Sequence, residues 1–211
     1  MIATQLDHIA VTAPSLEAGC DYVEALLGVR PRPGGRHNRM GTHNCLLKLG
    51  PLVYLEVLAM DPEAGPPELP RWFRLDQDRD APPRLAAWVA RTTDVRTAAA
   101  ASPAYGRIEP FERGSLRWDI TLPERGGLVY DGVAPLLIQW RTEPHPAAGM
   151  PDDRCALVGL EGWHPEAAAV SKLLEAVGLK EGFRVHPGPR PRLVARIQTP
   201  GGLRSLGETD G

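Results

Sequence analysis

One ordered pattern recurs along the chain and limits its fold more than composition does. The segment Leu6–Thr12, LDHIAVT, alternates as a strand, with Ile9 and Val11 on one face and Leu6, His8 and Ala10 on the other. Ser15 follows a turn in the place of a helix N-cap. Leu16, Cys20, Val23 and Leu27 then recur at helical spacing, and Gly28 closes the helix. Strands are predicted over 43–49 and 53–58, separated by Gly50-Pro51, with 30–41 as a loop. The order restarts with a strand over 85–92, Asp94 as a cap and an Ala-rich helix over 95–102. Strands over 107–113, 115–122 and 133–140 complete that unit. A shorter restart begins at Ala156, with a strand to Gly162 and a helix from His164-Pro165 to Gly178. A hairpin of 192–199 and 203–206 around Pro200-Gly201-Gly202 ends it.

Strand, helix and two or three strands, repeated, imply an α+β fold of βαβββ units, with curved mixed or antiparallel sheets and helices outside. The expected organisation is a single domain over 1–211. It consists of a first unit at 1–60, a proline-rich connector at 61–83, a second unit at 84–142 and a truncated third at 155–207. Trp72 and Phe73 are expected to tuck the connector against the body. The 211 residues are 43% apolar and 24% charged, a globular composition that excludes disorder of the whole chain. A net charge of −2 without a basic block gives no footprint for nucleic acid. No apolar run nears the ~20 residues that span a bilayer, and the N-terminus has no leader pattern, so a cytoplasmic location is expected. Three scattered cysteines form neither a zinc knuckle nor a disulfide framework. Arginine outnumbers lysine heavily in an Ala-, Gly- and Pro-rich chain, which reads as the codon bias of a GC-rich bacterial genome. Serine-hydrolase, phosphate-loop and dinucleotide motifs are missing.

Parity selects the candidate site residues. His8 lies opposite Ile9 and Val11, and Glu56 lies opposite Val53, Leu55 and Val57, so each puts a polar group on the face that a helix does not cover. Laying LAAWVARTTD under LDHIAVTAPS places Ala87 beneath His8, and laying LLIQW under VYLEV places Gln139 beneath Glu56. Imidazole and carboxylate suit Zn, Fe, Mn or Ni. The other reading makes His8 and Glu56 hydrogen-bonding groups of a polar cavity. His37 follows a double glycine, and His43 and Asn44 follow Gly41-Thr42, which places all three at a pocket rim as substrate contacts or leaves them to turn chemistry. Trp118 is a core residue, a cavity wall or a ring for stacking on substrate. Arg91 meets a substrate carboxylate or is a solvated strand end. His145, His164 and His186 stand beside prolines and receive no role.

The stretches LDHIAVTAPSLEAGCDYVEALLGVRP, PGGRHNRMGTHNCLLKLG and VYLEVLAMDP resemble the bacterial glyoxalase-like domain family of the vicinal oxygen chelate superfamily. The likeness extends less sharply to LRWDITLP, PLLIQW and ARIQTPGG. It implies the repeated βαβββ fold and a small-molecule ligand on a concave sheet face. It also implies a divalent metal held by His8, Glu56 and Gln139, or no metal, since Ala87 stands where a ligand is expected. The implied activity is that of a lyase, isomerase or dioxygenase-type enzyme on a small oxygenated metabolite, with Glu56 as catalytic base. The alternative is a non-catalytic protein that sequesters a small molecule. Units of this superfamily often pair between chains, so a homodimer is one expectation and closure of the open edge by the third unit is the other.

Overall fold

Two copies of one unit make the central sheet. The computed structural model describes residues 3–207. The first unit runs β1 (Thr4–Thr12), α1 (Leu16–Leu27), β2 (Arg32–His37), β3 (Thr42–Gly50) and β4 (Val53–Met60). The second runs β5 (Arg84–Thr92), α2 (Val95–Ala99), β6 (Arg107–Arg113), β7 (Leu116–Leu122) and β8 (Leu136–Trp140). The eight strands form one sheet in the order β2-β3-β4-β1-β5-β8-β7-β6. Within each unit the first and last strands are parallel (β1 with β4, β5 with β8), and β1 meets β5 antiparallel at the centre. A pseudo-two-fold therefore lies between β1 and β5. It exchanges the pair His8–Val89 with the pair Ala10–Ala87, so Ala87 is the counterpart of His8. The bulges obey it too, because Asp7 in β1 and Ala86 in β5 are the unpaired extra residues at equivalent places.

The local devices that start and stop these elements are chemical. Ser15 accepts a hydrogen bond from the Ala18 N–H at 3.1 Å, and Gly28 ends α1 at φ +71°, where a side chain would be disfavoured. Asp94 accepts from the Thr97 N–H at 3.0 Å at the start of α2. Ile9, Val11, Leu55 and Val57 are fully buried, each contributing roughly 1.5–3 kcal/mol. Strong curl brings the two sheet edges together. The Arg39 guanidinium donates to the Pro110 carbonyl at 2.7 Å and lies 5.0 Å from the centre of the Phe111 ring.

The third unit has β9 (Ala156–His164), α3 (Ala167–Ala176), β10 (Arg184–Pro187), β11 (Arg192–Thr199) and β12 (Gly202–Leu206). Its sheet, in the order β10-β9-β11-β12, covers the β5 face that points away from the concavity, where Phe183 stacks on Trp88 at 4.6 Å. In the third unit β9 runs on to His164 and β10 is an additional strand, and three segments of the first two units differ from the sequence expectation. The stretch taken as a loop at 30–41 contains β2, because pairing to β3 imposes a strand on the poor strand formers RPGGRH. The helix over 95–102 stops at Ala99, and Ser102 caps a separate turn at Pro103–Tyr105. β8 begins only at Leu136, since Tyr130 and Asp131 adopt left-handed backbone in the turn before it. No helix among the described residues is long and apolar enough to cross a membrane.

Candidate functional site

The concave face of the sheet encloses a chamber of about 40 Å³. Strand parity supplies its walls. His8 from β1, Tyr54 and Glu56 from β4, Asn44 and Leu46 from β3, and His37 at the end of β2 make one side. Trp118 and Ile120 from β7 and Ile138 and Trp140 from β8 make the other, with Arg113 from β6 at the rim. The connector closes the top with Trp72 and Phe73, the latter at φ +56°. A bulky residue in left-handed backbone costs about 1–2 kcal/mol, so surrounding contacts hold this lid in place. Outside lies a hollow of about 700 Å³, which shares His37, Arg113 and Trp118 with the chamber.

A continuous chain of polar contacts crosses the floor. Asp7 is fully buried and accepts from His8 Nδ1 at 2.6 Å, His145 Nε2 at 2.9 Å and Trp140 Nε1 at 2.9 Å. Burial alone would raise its pKa, but the hydrogen bonds from His145 and His8 outweigh burial and hold the carboxyl far below the usual range. Asp7 is thus an anion that fixes a proton on His8 Nδ1 and leaves Nε2 facing the chamber. Tyr54 stacks on the His8 ring at 4.6 Å and keeps it from turning. Burial pushes the Tyr54 phenol well above its ordinary range, aided by the charges of Asp7 and Glu56, so it acts as a donor and not as a base.

His8 Nε2 and Glu56 Oε2 stand 3.7 Å apart, too far for a hydrogen bond and close enough to contact one small ligand together. The other Glu56 oxygen accepts from Asn44 Nδ2 at 2.6 Å. Asn44 Oδ1 in turn accepts from the Gly35 N–H at 2.7 Å and lies 3.4 Å from Arg113 Nη1. Here the double glycine acts: a Cβ on Gly34 would sit 2.2 Å from Asn44 Oδ1. Arg113 Nη1 also donates to His37 Nε2 at 3.2 Å, so the His37 proton sits on Nδ1 and points at Thr42 Oγ1, 3.1 Å away. Burial pushes the His37 imidazole down to about 4, with Arg113 helping and Glu56 opposing.

His8, Glu56, Asn44, His37 and Trp118 therefore meet in one chamber. Two candidate residues do not. Gln139 donates from Nε2 to the Thr93 carbonyl at 2.7 Å and accepts at Oε1 from the Val95 N–H at 3.1 Å, which ties down the start of α2. The alignment of Gln139 with Glu56 was out of register. Glu56 pairs with Ala10, whereas Val89, the counterpart of Ala10, pairs with Leu136, a slip of an odd number of residues that puts Gln139 on the opposite face. His43 shares the helix-side face of β3 with Cys45 and Leu47 and is only half-buried, so it is not a rim contact. Asp7 and Arg113 belong to the site without being named in the sequence reading, and so do His145, which that reading gives no role, and Trp72, which it uses only to hold the connector. The available clue was an aspartate in the apolar parity of Ile9 and Val11. Arg91, read as a strand-end residue or a carboxylate contact, bonds to the Leu52 carbonyl at 3.0 Å and to Gln5 at 2.7 Å.

The donor set does not fit a divalent metal. Only His8 Nε2 and Glu56 Oε2 face a common point, and their counterparts Ala87 and Leu136 are hydrocarbon. Among the described residues no three His, Cys, Asp or Glu side chains are grouped to hold a metal, and Arg113 adds a resident cation at the rim.

Paired βαβββ units around a polar concavity define the vicinal oxygen chelate superfamily. The model of the glyoxalase-like domain matches residues 6–178, and the chain belongs to that family. The fold is similar to that of a hypothetical protein from Staphylococcus aureus, at 13% identity over 89% of this chain and 87% of that one, with a TM-score of 0.59. A methylmalonyl-CoA epimerase from Streptomyces coelicolor, solved with 2-nitronate-propionyl-CoA, is matched at 22% identity over 66% of this chain and 99% of its own, with a TM-score of 0.45. The Mycobacterium tuberculosis methylmalonyl-CoA epimerase is matched at 17% identity over 68% and 91%, with a TM-score of 0.41. No curated protein matches the chain.

Proposed function

We propose that the protein is an isomerase- or lyase-type enzyme that moves a proton at a carbon beside a carbonyl or carboxyl group of a small oxygenated molecule. The observation that carries this is the facing pair His8 Nε2 and Glu56 Oε2, 3.7 Å apart and each held from behind, by Asp7 and by Asn44. Held bases of this kind are what general acid–base chemistry requires. In the proposed step Glu56 Oε2 takes the proton from carbon, the C–H electron pair becomes a C=C bond, and the carbonyl π pair moves onto oxygen to give an enolate. His8, reached by the same substrate, exchanges a proton with the neighbouring oxygen. Both groups sit on adjacent strands of one wall, and the facing wall of Trp118, Ile120, Ile138 and Trp140 carries no acid or base. Proton removal and return therefore take place on one face of the substrate. No step runs through a metal.

The aromatic wall supports the second reading, a small-molecule-sequestering protein. Deuterium exchange separates the two. In D₂O, NMR should show C–H loss from members of a panel of small α-hydroxy ketones, aldehydes and acids. Glu56→Gln should slow that loss by about 10²-fold or more. Saturable binding with no exchange of any member, or exchange as fast in Glu56→Gln as in the parent, would leave the sequestering reading standing.

A further inference from the structure

Two side chains of the chamber lining carry donors that the protein answers incompletely. Arg113 is half-buried, and its guanidinium meets only neutral groups, His37 Nε2 at 3.2 Å and Asn44 Oδ1 at 3.4 Å. Among the described residues none of its side-chain partners is a carboxylate. Its neighbours along the outer hollow differ in this respect. Arg36 is paired with Glu63 at 2.5 Å, Arg39 with Glu68 at 3.1 Å, Arg117 with Glu112 at 3.4 Å and Arg141 with Asp119 at 2.8 Å. The second is Trp72, which lines the chamber and whose Nε1 is buried without a partner among the described residues. An orphaned buried donor is costly, about 1–3 kcal/mol, unless a ligand completes it.

We propose that Arg113, assisted by Trp72 Nε1, anchors a carboxylate, so that the ligand is a small α-oxygenated acid. A guanidinium fork presents two N–H groups to a carboxylate, and partial burial strengthens that contact. Neutral hydroxyls would leave the Arg113 charge unanswered, and a cation would be repelled by it. A chamber of about 40 Å³ admits only a few non-hydrogen atoms, so an acid of roughly two to four carbons would place its reacting end inside and its carboxylate at Arg113 on the rim, where the outer hollow begins. Placement of the reacting carbon against Glu56 and His8 rests on the proton-transfer reading; the anion site itself does not. For an enolate formed beside the carboxylate, the same guanidinium would also stabilise the developing charge.

Tryptophan fluorescence titrations test this with lactate and pyruvate as probes, against lactamide and pyruvamide as neutral isosteres. The parent protein should bind the acids at least ~10-fold more tightly than the amides, the scale of one charged hydrogen bond. Arg113→Met should erase that preference, and Arg113→Lys, which keeps the charge, should recover part of it. Trp72→Phe should lower acid affinity several-fold. Glu56→Gln should still bind the acids, since it removes a base and not the anchor. Equal binding of acids and amides, no saturable binding of either, or an acid preference that survives Arg113→Met would overturn the proposal. Arg113-dependent acid binding without C–H exchange in D₂O would sustain the anchor and sink proton transfer. Exchange on neutral substrates, unchanged in Arg113→Met, would do the reverse.

Discussion

The two halves of the eight-stranded sheet share one topology and differ at every polar site position of the first unit that the pseudo-two-fold relates. Where the first unit has Asp7 and His8, the second has Ala86 and Ala87, and where the first has Glu56, the second has Leu136. The pairing of β3 with β4 and of β7 with β8 extends the relation. Asn44, opposite Leu58, corresponds to Ile120, opposite Ile138, and His37, beside Thr42, corresponds to Phe111, beside Trp118. One half thus carries the ionisable chemistry and the other supplies hydrocarbon and aromatic wall, with Arg113 the one charge that it turns inward among the described residues. A duplicated scaffold here holds a one-sided site. The lesson is that the fold fixes the stations while each half fills them independently.

The difference between the halves has measurable consequences. The largest belongs to Asp7. Asp7→Ala removes the acceptor shared by His8, His145 and Trp140 and should lower unfolding free energy by at least about 3 kcal/mol in urea melts. A loss under about 1 kcal/mol would mean that the polar half does not depend on its buried anion. Stability should also respond to acid. The folded pKa of His37, about 4, lies below its ordinary 6.5, so the folded state binds fewer protons than the unfolded chain between these values. Stability should therefore fall as pH drops through that window, by on the order of 3 kcal/mol in total, and His37→Gln should flatten the fall in thermal melts. Asp7, held below its ordinary 3.8, contributes stability above that pH that is lost as the pH falls further.

Gly34→Ala comes next. The added methyl would collide with Asn44 Oδ1, shifting the amide off Glu56 at a cost of about 1–3 kcal/mol, while Gly114→Ala meets no neighbour and strains only its own left-handed turn. Deuterium exchange should slow in the first variant and stay at parental rate in the second. The smallest effect is expected for Gln139→Ala. That variant should lose about 1 kcal/mol by releasing the start of α2 and leave substrate exchange untouched. A drop in exchange would show that Gln139 reaches the site after all.

Strand parity and helix caps are local rules with periods of two and 3.6 residues, so the chain itself determined the α+β units, the Ser15 and Asp94 caps, and the inward direction of His8, Glu56 and Asn44. His37 was legible from the glycines before it, although their role is to make room for Asn44 and Arg113 and not for a ligand's backbone approach. The rest depended on contacts between distant segments. A bulge makes Asp7 an extra residue, so the aspartate beside His8 in sequence becomes its hydrogen-bond partner, and alternation alone hides this. His145 reaches Asp7 across 138 positions, which no local pattern foretells. The register of β8 follows from the parallel pairing Val89–Leu136, and only that pairing decides that Gln139 faces a helix and Trp140 the chamber. Arg113 and His37 sit on opposite edges of the sheet, and only its curl brings them within 3.2 Å. Local sequence sets which way a side chain points, and the closing of strands far apart in the chain sets what it meets there.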